Sequence, residues 1–505
     1  MRHGIVTIWV PLAGSSSVEA VRASVEGIGS QLSSSLEALH FASVSVIAVD
    51  EPHVESHMVF EASFDGSRET FVTNLVGRLP TLVDTIFRQC DGYPAAGASV
   101  PELAREFLLA HDVGADAAFI AFPNHSVGRI RQERRLRRTL MTLLAGMVRG
   151  GLASGEQPPP LRTTLYERLR RAIAADQSLA PLLTLPSRMV TTRGLRLFAR
   201  AMRVLLVLGL LAALGWAYSS PGLVTRYLTE HVWLAVAVVL RLAGARSPLL
   251  KRLCWVALGL AFVVWLHHWH WFAAPLDWLL QGLRWLGPVL FKGVLALVAL
   301  VVVWLVLVQL NEWLTAPDPT LPSTDPAHED ALRRGENLKV QNHLCGFNQI
   351  KPGVIRRWTL RLVLAGVQLL KQIENKGDLS GIATIHFARW VILKIHGRYW
   401  LLFLSNYDGD WDAYLGDFVS EASAGVTAIW SNCVGFPRAW FLFLGGSRDE
   451  RTFKSYARKS QHETLFHFSA YPDLTVTEIA SHAVIRETLG DAAGPAQVDD
   501  VLRRL

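Results

Sequence analysis

The sequence predicts an α+β fold in which two similar halves are separated by an all-α helical insertion that crosses the membrane. Three observations predict this arrangement. Short motifs near the N-terminus recur in the same order near the C-terminus, which indicates a tandem duplication. Both regions alternate strand-like and helix-like patterns. A long apolar block lies between the two regions.

The apolar block dominates the composition of the chain. Half of the 505 residues are hydrophobic and 18% are charged, against about 25% charged residues in ordinary soluble domains. Ten of the 17 tryptophans lie between Leu195 and Leu314, where acidic residues are rare. This composition excludes a disordered chain and argues against a fully soluble enzyme. The four cysteines lie far apart and form no CxxC pair, so we expect neither a disulfide framework nor a structural zinc site.

Changes in composition mark six segments along the chain. We predict a first half, a basic linker and helix, about four transmembrane helices, a proline-rich linker, a second half and a C-terminal tail. In that order, their bounds are residues 1–150, 151–194, 195–314, 315–341, 342–490 and 491–505.

Four segments of the apolar block approach the length of a membrane span. About 20 apolar residues are needed to cross the hydrocarbon core as a helix, and the candidates are Leu197–Tyr218, Leu223–Ala243, Leu253–Phe272 and Pro288–Leu310. Basic residues cluster before the first segment and between the second and third, which predicts that both termini are cytoplasmic. We therefore expect a multi-pass protein of the inner (plasma) membrane. Two spans with a re-entrant middle pair are the alternative.

A cluster of aromatic and histidine residues lies inside the third segment, from Trp265 to Trp271. Imidazole is a good ligand for transition metals. His267 and His270 are three residues apart and would be neighbours on a helix surface, so they are candidate metal ligands. An aromatic belt at the membrane interface is the alternative interpretation.

Six arginines lie between Arg129 and Arg138, opposed only by Glu133. Such a run is typical of nucleic-acid binding or of contact with an anionic membrane surface. Because the apolar block is near, we expect contact with the lipid bilayer through anionic lipid at this run, and no nucleic acid. A homo-oligomer is left open.

The recurring motifs keep their order and nearly constant spacing. Isolated matches of this kind arise by chance, whereas matches in the same order indicate duplication. The motif His40-Phe41-Ala42 recurs as His386-Phe387-Ala388, Asp65-Gly66 recurs as Asp408-Gly409, and the turn from Cys90 to Pro94 recurs as Cys433 to Pro437.

Each half is predicted to contain the same series of elements: a strand, a helix, a hairpin of two strands, a helix, a short helix and a last strand. The first half begins with a strand at Ile5–Leu12, and the second half begins with one at Leu344–Ile350. Strand–helix–strand–strand–helix–strand is the ferredoxin-like unit. We therefore expect two ferredoxin-like halves that pair their sheets face to face into one α+β barrel.

A duplicated ferredoxin-like barrel resembles the dimeric α+β barrel superfamily, which includes dye-decolorising peroxidases and chlorite dismutases. The resemblance is one of topology and covers the two ends of the chain. It implies haem bound in the groove of one half. Dye-decolorising peroxidases carry a Gly-x-x-Asp-Gly motif whose aspartate acts over the haem iron, and the corresponding residues here are Asp65 and Asp408.

The second half carries most of the candidate catalytic residues. Alternation along its strand places Arg389 on the face turned into the barrel, at the position of Ser43 in the first half. A buried guanidinium needs an anion. We expect Asp408 or Asp410 as its partner, or in their place a haem propionate or a lipid headgroup. Arg389, Asp408 and Asp410 are therefore the candidate catalytic residues.

The resemblance also implies an axial ligand for haem iron. The candidates are His386, His343 and His467, and we match His343 with His3 of the first half. His386 falls on the helix-facing side of its strand, so a hydrogen-bonded core histidine is the alternative interpretation of that residue.

These observations support two hypotheses of function. The first is an integral membrane, haem-dependent oxidoreductase of peroxidase type that acts on a hydrophobic substrate. The second is a non-catalytic, membrane-attached module that binds a lipid or a partner protein. The first rests on fold analogy, and one fold hosts many functions. The sequence contains no GxGxxG, P-loop, HExxH or GxSxG motif, which argues against the enzyme classes that those motifs mark.

Overall fold

A computed structural model of the chain describes most residues outside the apolar block. The described residues are 3–14, 16–48, 55–149, 158–184, 299–315, 325–336, 339–373, 378–490 and 495–505, together with 293, 296 and 297. The chain divides into two compact units, one of Met1–Met189 with Val308–Leu505 and one of Val190–Leu307. The sheets and the helices that pack on them belong to the first unit.

The first half contains the predicted series of strands and helices. Its elements are β1 (His3–Pro11), α1 (Val18–Ser24), α2 (Gly29–Ser35), β2 (Leu39–Ile47), β3 (His57–Asp65), α3 (Arg68–Arg78), α4 (Pro80–Phe87), α5 (Pro101–Ala110) and β4 (Ala117–Ile120). Two further helices, α6 (Val127–Arg149) and α7 (Pro158–Ala175), follow β4, with a short 3-10 helix at Ala180–Leu183.

The second half begins with two helices and then contains a similar series of strands and helices. Residues 299–314 form helix α8. The elements that follow are α9 (Pro326–Gly335), β5 (Gln341–Gln349), α10 (Val354–Ile373), β6 (Ile385–Ile395), β7 (Arg398–Asp408), α11 (Trp411–Ser420), α12 (Ser423–Trp430), β8 (Ala439–Trp440), β9 (Leu444–Gly445), α13 (Glu450–Ser460), β10 (Gln461–His462), β11 (Thr464–Ser469), α14 (Val476–Gly490) and α15 (Pro495–Arg504).

Two helices of the first half that the sequence pattern predicts as continuous are each interrupted. The break between α1 and α2 contains Gly27, whose φ of 72° lies in the left-handed region that glycine tolerates. The break between α3 and α4 comes at Pro80, which has no backbone N–H to continue the helix ladder. The matching helix of the second half is also interrupted, between α11 and α12.

Antiparallel pairing joins the strands into two larger sheets, and each sheet takes one strand from the other half of the chain. The strand order is β1-β3-β2-β11 in the first sheet and β10-β5-β7-β6-β4 in the second. Phe468 of β11 lies opposite Ala42 of β2, and Phe119 of β4 lies opposite Ala388 of β6. The predicted α+β class is confirmed, whereas the exchange of last strands is a finding that the sequence pattern does not predict.

The two sheets pack face to face, and helices cover their outer faces. Helices α1 to α5 pack on the first sheet around Ile8, and α10 to α13 pack on the second sheet around Trp390. The core between the sheets includes Trp9 and Phe347, one from each sheet. Hydrophobic burial on three layers therefore holds the two halves together.

The arginine run lies on α6, which packs with α7, α14 and α15 around a separate apolar cluster. Its side chains contact groups of the protein: Arg129 with Glu133, Arg131 with the carbonyl of Ala470, Arg134 and Arg138 with Asp473, Arg135 with Ser178, and Arg137 with the carbonyl of Arg504. These contacts give the run a role within the fold, and anionic lipid at this run stays a prediction.

The expectation of a multi-pass inner-membrane protein is contradicted. Among the described residues, no helix is both long and apolar enough to cross a membrane. Of the four expected spans, Leu197–Tyr218, Leu223–Ala243 and Leu253–Phe272 lie outside the described residues, and the fourth lies within them only in part. The continuously described part of that fourth segment, in α8, is shorter than the about 20 apolar residues of a span. The two hypotheses of function, an integral membrane peroxidase and a membrane-attached binding module, depend on this expectation and are contradicted with it.

The acidic residue at the end of the apolar block has a structural role. Glu312 on α8 is 1% exposed. Its Oε2 atom lies 2.6 Å from Nζ of Lys351 and 2.5 Å from Nη2 of Arg356. Removing one member of such a buried set leaves an uncompensated charge and costs about 3–5 kcal/mol. The set therefore fixes the end of α8 against the second half.

Phe468→Ala should destabilise the first sheet rather than the second. Phe468 belongs to the second half of the chain, but it is 8% exposed in the core of the first half. Removing a buried phenylalanine side chain costs about 3–5 kcal/mol. We expect a loss of that size in the free energy of unfolding in urea, and amide exchange that accelerates more in β2 and β3 than in β6 and β7. Faster exchange in β6 and β7 instead would contradict the strand exchange.

Candidate metal centre

A carboxylate at the end of the central strand of the first sheet faces a histidine on each neighbouring strand. Asp65 ends β3, which lies between β1 and β2. His3 of β1 is directly opposite Asp65 in the pairing register. His40 of β2 lies at a register shift between Leu39 and Phe41, and a β-bulge of this kind re-aims a side chain.

The three side chains place ligand atoms close enough to share one cation. Nδ1 of His3 is 3.4 Å from Oδ1 of Asp65, and Nε2 of His40 is 3.1 Å from the same oxygen. The ligand atoms of all three lie within 4.8 Å of one another. Zinc bonds of about 2.0–2.2 Å imply ligand separations of roughly 3.3–3.6 Å in a tetrahedron. The two separations between histidine and carboxylate therefore fit a first-row transition cation.

The candidate ligands have partners that fix their orientation. Nδ1 of His40 lies 2.8 Å from the hydroxyl of Tyr471, a residue that follows β11 and so comes from the second half of the chain. Oδ2 of Asp65 accepts a hydrogen bond of 3.0 Å from the backbone N–H of Val127. Val127 begins α6, and a carboxylate is stabilised at a helix N-terminus. Such partners orient ligating side chains in metal sites.

Burial and hydrogen bonding favour the protonation states that a metal needs. Burial lowers the pKa of His40 below its usual value, although Asp65 opposes this effect. Burial would raise the pKa of Asp65, but the hydrogen bonds from His40 and from the N–H of Val127 hold that pKa below its usual range. Neutral imidazole and ionised carboxylate are the forms that bind a cation.

The second sheet repeats this arrangement with one substitution. Asp408 ends the central strand β7, and His386 of β6 lies at the equivalent register shift, with its Nε2 atom 2.7 Å from Oδ1 of Asp408. Oδ2 of Asp408 accepts a hydrogen bond of 2.7 Å from the N–H of Val476, the first residue of α14. The residue opposite Asp408 on β5 is Gln341. Its side-chain amide donates to the carbonyl of Tyr471 at 3.1 Å.

The pairing registers correct one match made from the sequence. They place His3 opposite Asp65 and Gln341 opposite Asp408. His3 is therefore equivalent to Gln341, and the match of His3 with His343 is wrong because the spacing along the chain differs between the first strand and the later motifs. The repeated Asp-Gly motif is the sequence signal for this site, because it marks the carboxylate at the end of a strand. In an antiparallel pair the start of one strand lies beside the end of its neighbour, so a histidine at the start of β1 can reach this carboxylate.

Arg389 lies between the sheets, but its acidic partner is Glu61 of β3 and neither Asp408 nor Asp410. Nε of Arg389 is 3.4 Å from Oε2 of Glu61, and the two residues are 1% and 0% exposed. The guanidinium also donates to backbone carbonyls and to a hydroxyl of the first half. Asn406 of the second half donates to Oε1 of Glu61 at 2.7 Å. Each half thus supplies buried partners to the other.

The other predicted catalytic and metal residues do not join this network. Asp410 accepts a hydrogen bond of 2.8 Å from the N–H of Ala413 and is the N-cap of α11, which is a structural role. Asp408 belongs with His386 at the end of β7. His267 and His270 lie outside the described residues.

The three candidate haem ligands already have polar partners at Nε2. The Nε2 atom is 2.7 Å from Asp408 in His386, 3.2 Å from Ser43 in His343 and 3.1 Å from Asn406 in His467. An axial ligand needs a nitrogen lone pair that is free for iron. In this structure the Nε2 atoms of all three residues are in hydrogen-bonding contact with protein groups. Haem binding by the chain stays a prediction.

Comparisons with known proteins do not assign this chain to a family. No family model, no curated protein and no solved structure matches it. The function therefore rests on the geometry and chemistry of the site itself.

The buried Glu61 carboxylate makes stability depend on pH. Burial would raise the pKa of Glu61, but the positive charge of Arg389 and the contacts with His343 and Asn406 outweigh this effect and lower the pKa from 4.5 to about 2. A carboxyl group with a depressed folded-state pKa contributes stability that is complete above its unfolded pKa and is lost as the pH falls through its folded pKa. The window for this residue runs from about pH 4.5 down to about pH 2.

Glu61→Gln should therefore lower stability at neutral pH and flatten the acid part of its pH profile. At pH 7 we expect a loss of about 3–5 kcal/mol in urea unfolding, because Arg389 loses its buried counter-charge. Between pH 4.5 and pH 2 the variant should lose less stability than the parent. The control, Glu37→Gln at an exposed position, should follow the parent at every pH. A parental acid profile in Glu61→Gln would contradict the ion pair.

Proposed function

We propose that the chain is a metal-binding protein whose first half holds one divalent first-row transition cation, of the zinc or iron(II) class, between His3, His40 and Asp65. One observation carries the proposal: two imidazoles and one carboxylate from three adjacent strands bring their ligand atoms within 4.8 Å of one another. This ligand set is typical of zinc and of non-haem iron(II), whereas calcium and magnesium prefer oxygen ligands alone.

The burial of the ligands favours a metal that stabilises the fold over one that turns over a substrate. The three side chains are at most 7% exposed. A cation at this position would clamp the ends of β1, β2 and β3 and, through Asp65, the start of α6. Because it binds the folded state and not the unfolded one, it would raise stability as its concentration rises above its Kd.

The pairing registers support the further proposal that the two halves are duplicated ferredoxin-like units. Strands β1-β3-β2 and β5-β7-β6 have the same order. Asp65 is equivalent to Asp408, and His40 to His386, down to the register shift beside each histidine. Gln341 then marks the one ligand position at which the halves differ, so we propose one cation per chain rather than two.

Zinc titration of the metal-free chain tests the proposal. After removal of metal with EDTA, calorimetric titration with zinc chloride should show one ion per chain, and zinc should raise the melting temperature. His3→Gln, which copies the residue at the equivalent position of the second half, should abolish both effects. The matched control, His386→Gln, changes the equivalent histidine of the second sheet and should retain them. Zinc binding that survives His3→Gln and His40→Gln would place the ion elsewhere.

Tyr471→Phe should weaken metal affinity without preventing folding. Only the hydroxyl that contacts Nδ1 of His40 at 2.8 Å is lost, and removing an outer partner of a ligating histidine costs about 10–100-fold in affinity. Competition with a chelating dye measures the Kd, and circular dichroism checks the fold. A parental Kd in a folded Tyr471→Phe variant would mean that the second half does not orient this ligand.

A further inference from the structure

The second half contains a cavity between the outer face of its sheet and helices α11 to α13. Its wall includes Gly346, Phe403, Trp430, Tyr456 and Ala457. The cavity has a volume of about 30 Å³. That is at least twice the roughly 10–15 Å³ that a single water molecule needs.

The strand pairing shows which residue of the first half corresponds to Gly346. Ile8 of β1 forms a bridge to Asp112, just after α5. Gly346 of β5 pairs with Gln461, just after α13. Gly346 is therefore equivalent to Ile8.

The aromatic packing extends this correspondence to the helices. The rings of Tyr93 and Phe107 meet edge to face at 5.2 Å with an interplanar angle of 87°. The rings of Phe436 and Tyr456 meet at 5.3 Å with an angle of 88°. Tyr456 of α13 is therefore equivalent to Phe107 of α5.

The cavity exists because two large side chains of the first half are missing from the second. By this correspondence the two side chains are those of Ile8 and Leu108, which are each 1% exposed and belong to the apolar core of the first half. Gly346 and Ala457 take their places in the second half. The smaller side chains leave part of that space open as the cavity.

The second half also introduces polar groups at the cavity wall. Asn348 stands where the first half has Val10, and the hydroxyl of Tyr456 donates a hydrogen bond to Oδ1 of Asn348. Placing polar groups in an apolar wall costs free energy. Small-molecule sites place a few polar groups in a largely apolar lining, where they fix the orientation of a ligand.

We infer that this cavity binds a small, mainly apolar molecule with one hydrogen-bonding group, of the size of a short-chain alcohol. Its apolar part takes the space that Ile8 and Leu108 occupy in the first half, and its polar group meets Asn348 and Tyr456. The site is separate from the candidate metal centre, which lies in the first half on the other sheet.

The test uses the full chain and 1-propanol as the probe. Saturation-transfer difference NMR detects the bound alcohol, and the indole N–H signal of Trp430 reports on the cavity wall. Gly346→Ile restores the side chain of the first half and should weaken binding by about tenfold or more. Gly346→Ala is the matched control and should bind as the parent does, because an added Cβ comes no nearer than 3.6 Å to Leu344 and 3.9 Å to Phe403.

Two further variants keep the inference testable if Gly346→Ile does not fold. Ala457→Leu fills the cavity from the helix side and should also abolish binding. Tyr456→Phe should weaken 1-propanol binding but leave xenon binding, measured by xenon NMR, as in the parent. The inference is overturned if 1-propanol leaves the Trp430 signal of the parent unchanged, or if the folded, filled variants bind as the parent does. Loss of xenon together with 1-propanol in Tyr456→Phe would refute the role given to its hydroxyl.

Discussion

The buried ion pair between Glu61 and Arg389 is the interaction on which the rest of the structure depends. Its two charges belong to different halves of the chain, and neither is in contact with water. A buried charge without a partner costs several kcal/mol, so neither half can bury its inner face alone. The exchange of β4 and β11 imposes the same dependence on the backbone, because each sheet would otherwise expose an unpaired edge.

This mutual dependence explains why the two halves share the same strand order and the same carboxylate contacts and differ at single side chains. Asp65 and Asp408 each hold a histidine with one oxygen and the start of a helix with the other. Losing either carboxylate would free a buried donor and a helix end together. The position of His3 can change more freely. In the second half Gln341 occupies the equivalent position, and Asp408 still has both of its partners, His386 and the N–H of Val476. The ligand set can therefore be complete in one half and incomplete in the other.

The sequence predicts strands and the direction of their side chains, because these depend on local patterns. It does not predict contacts that depend on segments far apart in the chain. The strands of both hairpins follow from alternation and turns, and alternation also turns Arg389 inward. Its partner could not be read in the same way, because Glu61 lies on the opposite sheet. The hydrophobic pattern of β4 would be the same at the edge of either sheet, so the sequence could not predict the exchange. The expected membrane spans came from the composition of a block that lies mostly outside the described residues, and the described helices do not support them.

The candidate metal centre and the cavity both lie at positions where a side chain can change without breaking the backbone pairing of the strands. The backbone of β5 keeps its pairing with β7 and β10 whether residue 346 carries a side chain or not, so exchanging Ile8 for its counterpart Gly346 removes packing without breaking the ladder. The neighbouring Tyr456 keeps the edge-to-face contact of Phe107 and adds only a hydroxyl. One half can therefore keep this packing while the other half opens a space, because the apolar core between the sheets, the ion pair and the exchanged strands keep the two halves together.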